Sequence, residues 1–87
     1  MTRIKQMKVR VHFFAQLRDV AGISELDLHF GPGATVGDLL AKIYELKPEL
    51  SAHDKTILVG AGVDFVERDY PLKEGEEIAI MPPVQGG

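Results

Sequence analysis

The stretch Lys8–Ala15, with the sequence KVRVHFFA, alternates apolar and polar side chains and decides how the chain folds. Every second residue is apolar and shares one face, namely Val9, Val11 and Phe13. The residues between them share the opposite face, namely Lys8, Arg10 and His12. Because side chains alternate across a strand, this period of two predicts a β-strand with one buried face. Phe14 breaks the pattern, since it is apolar but has the parity of the polar residues.

A second alternating segment, ISELDLHF at residues 23–30, predicts a second strand that follows the first at hairpin spacing. Residues 16–22, QLRDVAG, are predicted to turn the chain between the two strands. Gly22 closes this segment and can adopt a positive φ without a steric cost.

The helix signal starts at Thr35. Thr35 and Asp38 approximate a capping box, in which each side chain bonds the other residue's backbone N–H. One helical face then carries the apolar residues Val36, Leu39, Leu40, Ile43 and Leu46. The helix is predicted to end at Lys47, because Pro48 disfavours a helical residue before it.

The rest of the chain predicts short strands. Residues 49–55 (ELSAHDK) are predicted to be a polar connection, and residues 56–66 (TILVGAGVDFV) two short strands around a glycine turn at 60–62. A loop with room for one helical turn follows at 67–77, and IAIM at 78–81 is a last buried strand. This order is not a strict β–α alternation, so it predicts an α+β fold, a mixed sheet with one main helix packed on one face. Ubiquitin-like β-grasp folds have this arrangement.

Composition narrows the functional classes. The 87 residues suffice for one core, and the net charge of −3 argues against a nucleic-acid or membrane-surface protein. No apolar run reaches membrane-spanning length and the start lacks a signal peptide, so we expect a cytoplasmic protein. Cysteine is absent, which excludes disulfides, thiolate metal ligands and cysteine nucleophiles.

The other polar motifs predict no catalytic or metal site. His12, His29 and His53 lie in different segments without ligand spacing, so we expect surface histidines and no bound metal. Gly60-Ala61-Gly62 lacks the Lys-Ser/Thr of a phosphate loop and is better explained as a turn. The acidic residues of the 67–77 loop have no partner placed by the sequence and are expected to be solvated.

An apolar patch is predicted on the outer face of the sheet. If the first and last strands are neighbours, Phe14 lies beside Ala79 and Met81, and Phe65 is placed to join them. Scattered exposed apolar residues mean little, but a cluster favours a protein interface.

The sequence ends in PPVQGG, residues 82–87. Pro82–Pro83 cannot continue a sheet ladder and favours an extended conformation that projects the last four residues. Gly86–Gly87 has no Cβ, so it can enter a channel too narrow for side chains. We therefore expect a tail that delivers the carboxylate of Gly87 to another enzyme for activation.

Three segments together resemble the small subunit of molybdopterin synthase, a ubiquitin-like sulfur carrier of molybdenum cofactor biosynthesis. They are VHFFAQLRDVAG at residues 11–22, ATVGDLLAKI at 34–43 and DYPLKEGEEIAIMPPVQGG at 69–87. The resemblance extends over about residues 7–87, and PPVQGG is its most specific part. It implies a β-grasp domain at 7–81, an extension at 1–6 and an extended tail at 82–87.

The resemblance also implies a chemistry for the tail. An adenylyltransferase related to the one that charges ubiquitin would use ATP to adenylate Gly87. A sulfur donor protein would then convert Gly87 to a thiocarboxylate, with Gly86 allowing the tail to thread. The large synthase subunit would receive the tail and pass the sulfur to cyclic pyranopterin monophosphate. The partner-binding residues implied in this way are Phe14, Phe65, Met81, Pro82, Pro83 and Val84. No cofactor would be bound, and the chain would be a co-substrate within a heterotetramer rather than a catalyst by itself.

Alternatives remain open at this point. A sulfur carrier for thiamine thiazole synthesis shares the fold and the Gly-Gly ending, although MPPV at 81–84 favours the pterin carrier. A ubiquitin-like modifier would form the same adenylate at Gly87. In a plain β-grasp interaction module, the tail would have no role. Two features depart from the resemblance: Met1–Gln6 precedes its usual start, so that Met7 is an alternative start, and GAG at 60–62 replaces an Asn-containing turn.

Overall fold

A computed structural model describes residues 6–83 of the chain. Within them it has five strands: β1 (Met7–Phe13), β2 (Glu25–Phe30), β3 (Leu58–Ala61), β4 (Asp64–Phe65) and β5 (Glu77–Met81). The two α-helices of the described residues are α1 (Ala15–Ala21) and α2 (Val36–Leu46), and a 3-10 helix follows at Pro48–His53.

The strands of the described residues form one mixed sheet in the order β2-β1-β5-β3-β4. The pairing of β1 with β5 is parallel, with Val11 opposite Ile78 and Phe13 opposite Ile80. All other neighbouring strands pair antiparallel. The sheet with α2 on one face confirms the predicted α+β architecture, and it confirms that the first and last strands are neighbours.

The core lies between the sheet and the helices. Most of its fully buried members come from alternate positions of β1 and β5 and from one stripe of α2, namely Val9, Val11, Ile78, Ile80, Val36, Leu39, Leu40 and Ile43. The capping box is present, because Thr35 Oγ1 accepts from the Asp38 N–H while the Asp38 carboxylate accepts from the Thr35 N–H. Leu46 was predicted on the buried stripe but lies at its edge, where it is 47% exposed.

The predicted turn at residues 16–22 is wrong, because this segment is helix α1. Leu17 and Ala21 are four residues apart, so a helix brings both onto one face and buries them in the core. Gly22 has the expected positive φ of 77°, but it does so as the helix C-cap, donating its N–H to the Arg18 carbonyl at 2.9 Å.

Two further segments differ from the prediction. The polar connection contains the 3-10 helix, and Leu50 within it is fully buried. The turn of the β3–β4 hairpin lies at Gly62-Val63 and not at residues 60–62, because Gly60 and Ala61 pair within the sheet. Gly62 has a φ of 65°, which is the conformation that favours glycine at a tight hairpin turn.

Candidate functional site

The site has two parts, an apolar area on the sheet and the tail that follows it. β5 ends at Met81, and Pro82 and Pro83 continue without strand pairing, as the missing proline N–H groups require. Pro82 is half-buried and Pro83 is exposed. Three predicted site residues, Val84, Gly86 and Gly87, lie outside the described residues.

The sheet face opposite α2 carries the predicted apolar residues. We use the name open face for the predicted residues Phe14, Phe65, Ala79 and Met81 together with Leu58, which the prediction did not include. Phe14 is 47% exposed and Phe65 is 65% exposed, while the other three are half-buried. Met81 pairs with Leu58, and Gly60 pairs with both Ala79 and Phe65, so these residues occupy adjoining positions on β5, β3 and β4.

The backbone fixes the position of Phe14 beside the other residues of the open face. The Phe14 N–H donates to the Ile80 carbonyl at 3.1 Å, which extends the pairing of β1 with β5 by one residue. The next residue, Ala15, has a φ of 53°, in the left-handed region that a residue with a Cβ adopts at a cost. The chain therefore turns into α1 directly after Phe14, whose side chain stays on the outer side of the sheet.

A charged stripe borders the open face on β1, β2 and β5: Lys8, Arg10, Glu25, Asp27 and Glu77. Asp27 accepts from the Arg10 Nε–H at 2.9 Å and lies 3.7 Å from the Lys8 Nζ. The hydrogen bond from Arg10 holds the pKa of the Asp27 carboxyl below its usual value, with the charges of Arg10 and Lys8 adding to the shift.

His12 lies where the stripe meets the apolar residues. Its Nε2 is 2.7 Å from a Glu77 carboxylate oxygen, and its Nδ1 is 3.6 Å from a Glu25 oxygen. The ring is tilted against Phe14 with the centroids 6.5 Å apart. Sequence reasoning identified His12 only as a surface histidine, because its carboxylate partners follow from strand register and not from spacing along the chain.

A second polar cluster lies on the helix side and ties three segments together. Tyr44 on α2 donates to the Asp54 carboxylate at 2.6 Å, and Arg68 donates to the same oxygen at 2.9 Å and to the Asp54 carbonyl at 2.7 Å. Burial, together with the bond to Asp54, raises the pKa of Tyr44 to about 12. The hydrogen bond from Tyr44 lowers the pKa of Asp54. These bonds all link parts of the fold, so we assign the cluster a structural role.

Residues 6–83 contain no group of three or more His, Cys, Asp or Glu side chains arranged to hold a metal ion. None of the helices in this range is both long and apolar enough to cross a membrane.

The sequence profile of the ThiS family matches residues 11–87, which include the end of β1, all of β2 to β5 and the PPVQGG ending. The chain belongs to the ThiS family. It is 39% identical to the molybdopterin synthase sulfur carrier subunit of Chlamydomonas reinhardtii, over 93% of this chain and 100% of that protein. The corresponding subunit of Escherichia coli is 31% identical over 91% of this chain and 99% of its own length.

Solved structures agree with the family. A Pyrococcus furiosus protein assigned as subunit 1 of molybdopterin converting factor has a TM-score of 0.82 at 28% identity, covering 90% of this chain and 99% of that one. The small archaeal modifier protein SAMP1 of Haloferax volcanii has a TM-score of 0.80 at 30% identity, covering 92% and 99%. A chain in the complex of subunits 1 and 2 of molybdopterin-converting factor from Helicobacter pylori has a TM-score of 0.64 at 26% identity. The match covers 93% of this chain and 100% of that one. A Caldiarchaeum subterraneum ubiquitin, at 21% identity and TM-score 0.63, confirms the ubiquitin-like fold.

Proposed function

We propose that this chain is the sulfur carrier subunit of molybdopterin synthase, working in the cytoplasm, and that Gly87 carries the sulfur as a thiocarboxylate. The observation that carries the proposal is the similarity of 91–93% of this chain to molybdopterin synthase sulfur carrier subunits, and the ThiS family match continues through the PPVQGG ending to residue 87. The shared name of the curated relatives supports the sulfur-carrier role.

The chemistry has two steps before transfer. The Gly87 carboxylate attacks ATP in the active site of an adenylyltransferase, forming an acyl-adenylate and releasing pyrophosphate. A sulfur donor protein then supplies sulfur at the oxidation level of sulfide, which attacks the acyl carbon and displaces AMP, so that the thiocarboxylate remains. A chain without cysteine suits this role, because the sulfur is held on the backbone terminus and not on a side-chain thiol.

The tail delivers the sulfur to the large subunit of the synthase, which transfers it to cyclic pyranopterin monophosphate. Glycine at 86 and 87 lets the tail enter a narrow channel, and Pro82–Pro83 keeps it extended from the end of β5. The open face is the docking surface for the large subunit, with Phe14, Phe65 and Met81 as its apolar anchors. Two observations support this: Phe14 and Phe65 are 47% and 65% exposed, and a relative with the same fold has been solved in a complex of subunits 1 and 2.

The charging step is tested by intact mass. The protein is incubated with a matching adenylyltransferase, ATP and a sulfur source, and its mass is measured beside that of a variant lacking Gly87. We expect the full chain alone to gain the mass difference between sulfur and oxygen. If the full chain gains no mass while a known carrier is charged in the same mixture, the proposal is wrong.

A second candidate function is protein modification. The observation that favours it is the 30% identity and the TM-score of 0.80 to SAMP1. In that case a lysine amine would attack the acyl carbon of the Gly87 adenylate, forming an isopeptide bond and releasing AMP. Mass spectrometry of tryptic peptides from cells that produce the chain distinguishes the two: a modifier leaves its terminal residues on lysines of other proteins, and a carrier leaves none.

A further inference from the structure

The centre of the open face lies at Gly60, which has no side chain. Gly60 on β3 pairs with Ala79 on one side and with Phe65 on the other, so its side-chain position lies between them. A Cβ built on Gly60 would lie 3.1 Å from the Met81 methyl carbon, 3.7 Å from the Ala79 Cβ and 3.7 Å from the Asp64 carbonyl oxygen. The methyl group of Met81 therefore occupies the space that a residue-60 side chain would take.

Strand register shows that Met81 reaches this space diagonally. Its own cross-strand neighbour is Leu58, two residues before Gly60. Diagonal neighbours in antiparallel strands are within reach of long side chains, and methionine is flexible enough to span that separation. The methyl group of Met81 therefore lies over Gly60, on the side of the sheet where Gly60 pairs with Phe65.

The backbone itself does not require glycine here. Gly60 lies inside β3 and outside the positive-φ region, in contrast to Gly22, Gly33, Gly62 and Gly75. An alanine would be compatible with the local φ and ψ and would reduce the entropy of the unfolded chain. The reason for glycine at this position is the space above it.

We propose that Gly60 is a positioning residue of the docking surface: by lacking a Cβ, it lets Met81 lie across β3 and join the apolar residues of β5 to Phe65. The inference rests on the proposed docking of the large subunit to the open face. Gly60→Ala pushes the Met81 methyl group away by a few tenths of an ångström or into another rotamer, because 3.1 Å is too close for two carbon atoms at rest. The shape of the apolar surface then changes at its centre, where interface contacts matter most.

The test is a double-mutant cycle on the binding of the purified large subunit, measured by calorimetry. We expect Gly60→Ala to raise the Kd about three- to tenfold, a moderate effect for one displaced anchor. In the Met81→Ala background, which lacks the methyl group, Gly60→Ala should have no further effect. Gly31→Ala is the matched control, since Gly31 also lies outside the positive-φ region and an added Cβ would have no atom within 4 Å.

A second readout does not need the partner. In protein labelled with ¹³C at the methionine methyl groups, Gly60→Ala should shift the Met81 methyl resonance, and Gly31→Ala should leave it in place. Equal effects of Gly60→Ala in both Met81 backgrounds, or an unmoved Met81 resonance, would overturn the inference. If the unmodified chain does not bind the large subunit at all, the proposed docking is wrong, and the methyl resonance still decides whether Gly60 positions Met81.

Discussion

Phe14 and Leu46 are exposed to the same extent, 47% each, but they lie on different sides of the molecule. Phe14 follows β1 on the open face, whereas Leu46 ends α2 on the helix-covered side. Exposure alone therefore cannot identify Phe14 as an anchor. Its position beside Met81 and Ala79, held by the Ile80 carbonyl, is what distinguishes it.

This pair of residues gives a controlled mutation. Phe14→Asp should weaken binding of the large subunit by roughly 30-fold or more, corresponding to about 2 kcal/mol for a central aromatic anchor. Leu46→Asp places the same charge at an equally exposed apolar site and should leave the Kd within about twofold. Titration calorimetry measures both, and circular dichroism checks that both variants are folded. Equal losses in the two variants would show that the open face is not the docking surface.

Ala15 is the one residue of the described chain other than glycine that has a positive φ, 53°. A left-handed conformation costs a residue with a Cβ roughly 1–2 kcal/mol, and glycine avoids that cost. Ala15→Gly should therefore raise the free energy of unfolding, by about 0.5–1 kcal/mol once the greater entropy of the unfolded glycine chain is subtracted.

The control for Ala15 is an exposed alanine in a regular helix. Ala41→Gly in α2 should lower the free energy of unfolding by about 1 kcal/mol, because glycine is a poor helix former. Urea unfolding of both variants measures the two changes. Destabilisation by both substitutions would contradict the strained conformation of Ala15.

At the scale of elements, the sequence predicted those that carry a complete pattern of their own. β1, β5 and α2 each have several apolar residues at the correct period, and α2 also has its capping box. The sequence did not predict α1, because Leu17, Ala21 and Gly22 within residues 16–22 are as typical of a turn as of a helix. The 3-10 helix was missed because Leu50 is a single apolar residue in a polar segment, and only tertiary packing shows that it is buried.

The features of the candidate site also differ in whether the sequence predicts them. The outward position of Phe14 and Met81 followed from parity along single strands, so the sequence was sufficient for it. The partners of His12 depend on the register of three strands, and the space above Gly60 depends on the direction of one side chain. Neither feature can be predicted from the spacing of residues along the sequence.

The Tyr44–Asp54–Arg68 cluster joins α2, the end of the 3-10 helix and the segment after β4. Tyr44→Phe removes one hydrogen bond and should lower the free energy of unfolding by about 1 kcal/mol near neutral pH. Because the pKa of Tyr44 is raised from 10.0 to about 12 in the folded protein, this contribution is complete below pH 10 and is lost as the pH rises to about 12.

The measurement is urea unfolding of the wild-type protein and the Phe variant between pH 8 and pH 12. The difference in the free energy of unfolding between the two proteins should be constant up to about pH 10 and then shrink. A difference that does not change with pH would show that the Tyr44 hydroxyl is not held by Asp54.

Across the described residues, the helices cover one sheet face while the other keeps its apolar residues exposed beside a stripe of charged residues with ion pairs from Lys8 and Arg10 to Asp27. β5 connects the two parts of the candidate site, because Met81 ends the strand on the open face and the proline pair follows it directly. A partner that docks on the open face is therefore placed next to the start of the tail. This continuity is why we assign docking and sulfur delivery to one partner.

The most direct test of this role is a single-turnover transfer. The chain charged as the Gly87 thiocarboxylate is mixed with the large subunit and cyclic pyranopterin monophosphate, and both molybdopterin formation and the intact mass of the chain are followed. We predict that molybdopterin forms while the chain returns to the mass of its carboxylate form, and that neither change occurs without the large subunit. A thiocarboxylate that persists in the complete mixture, with no molybdopterin formed, would contradict the assignment.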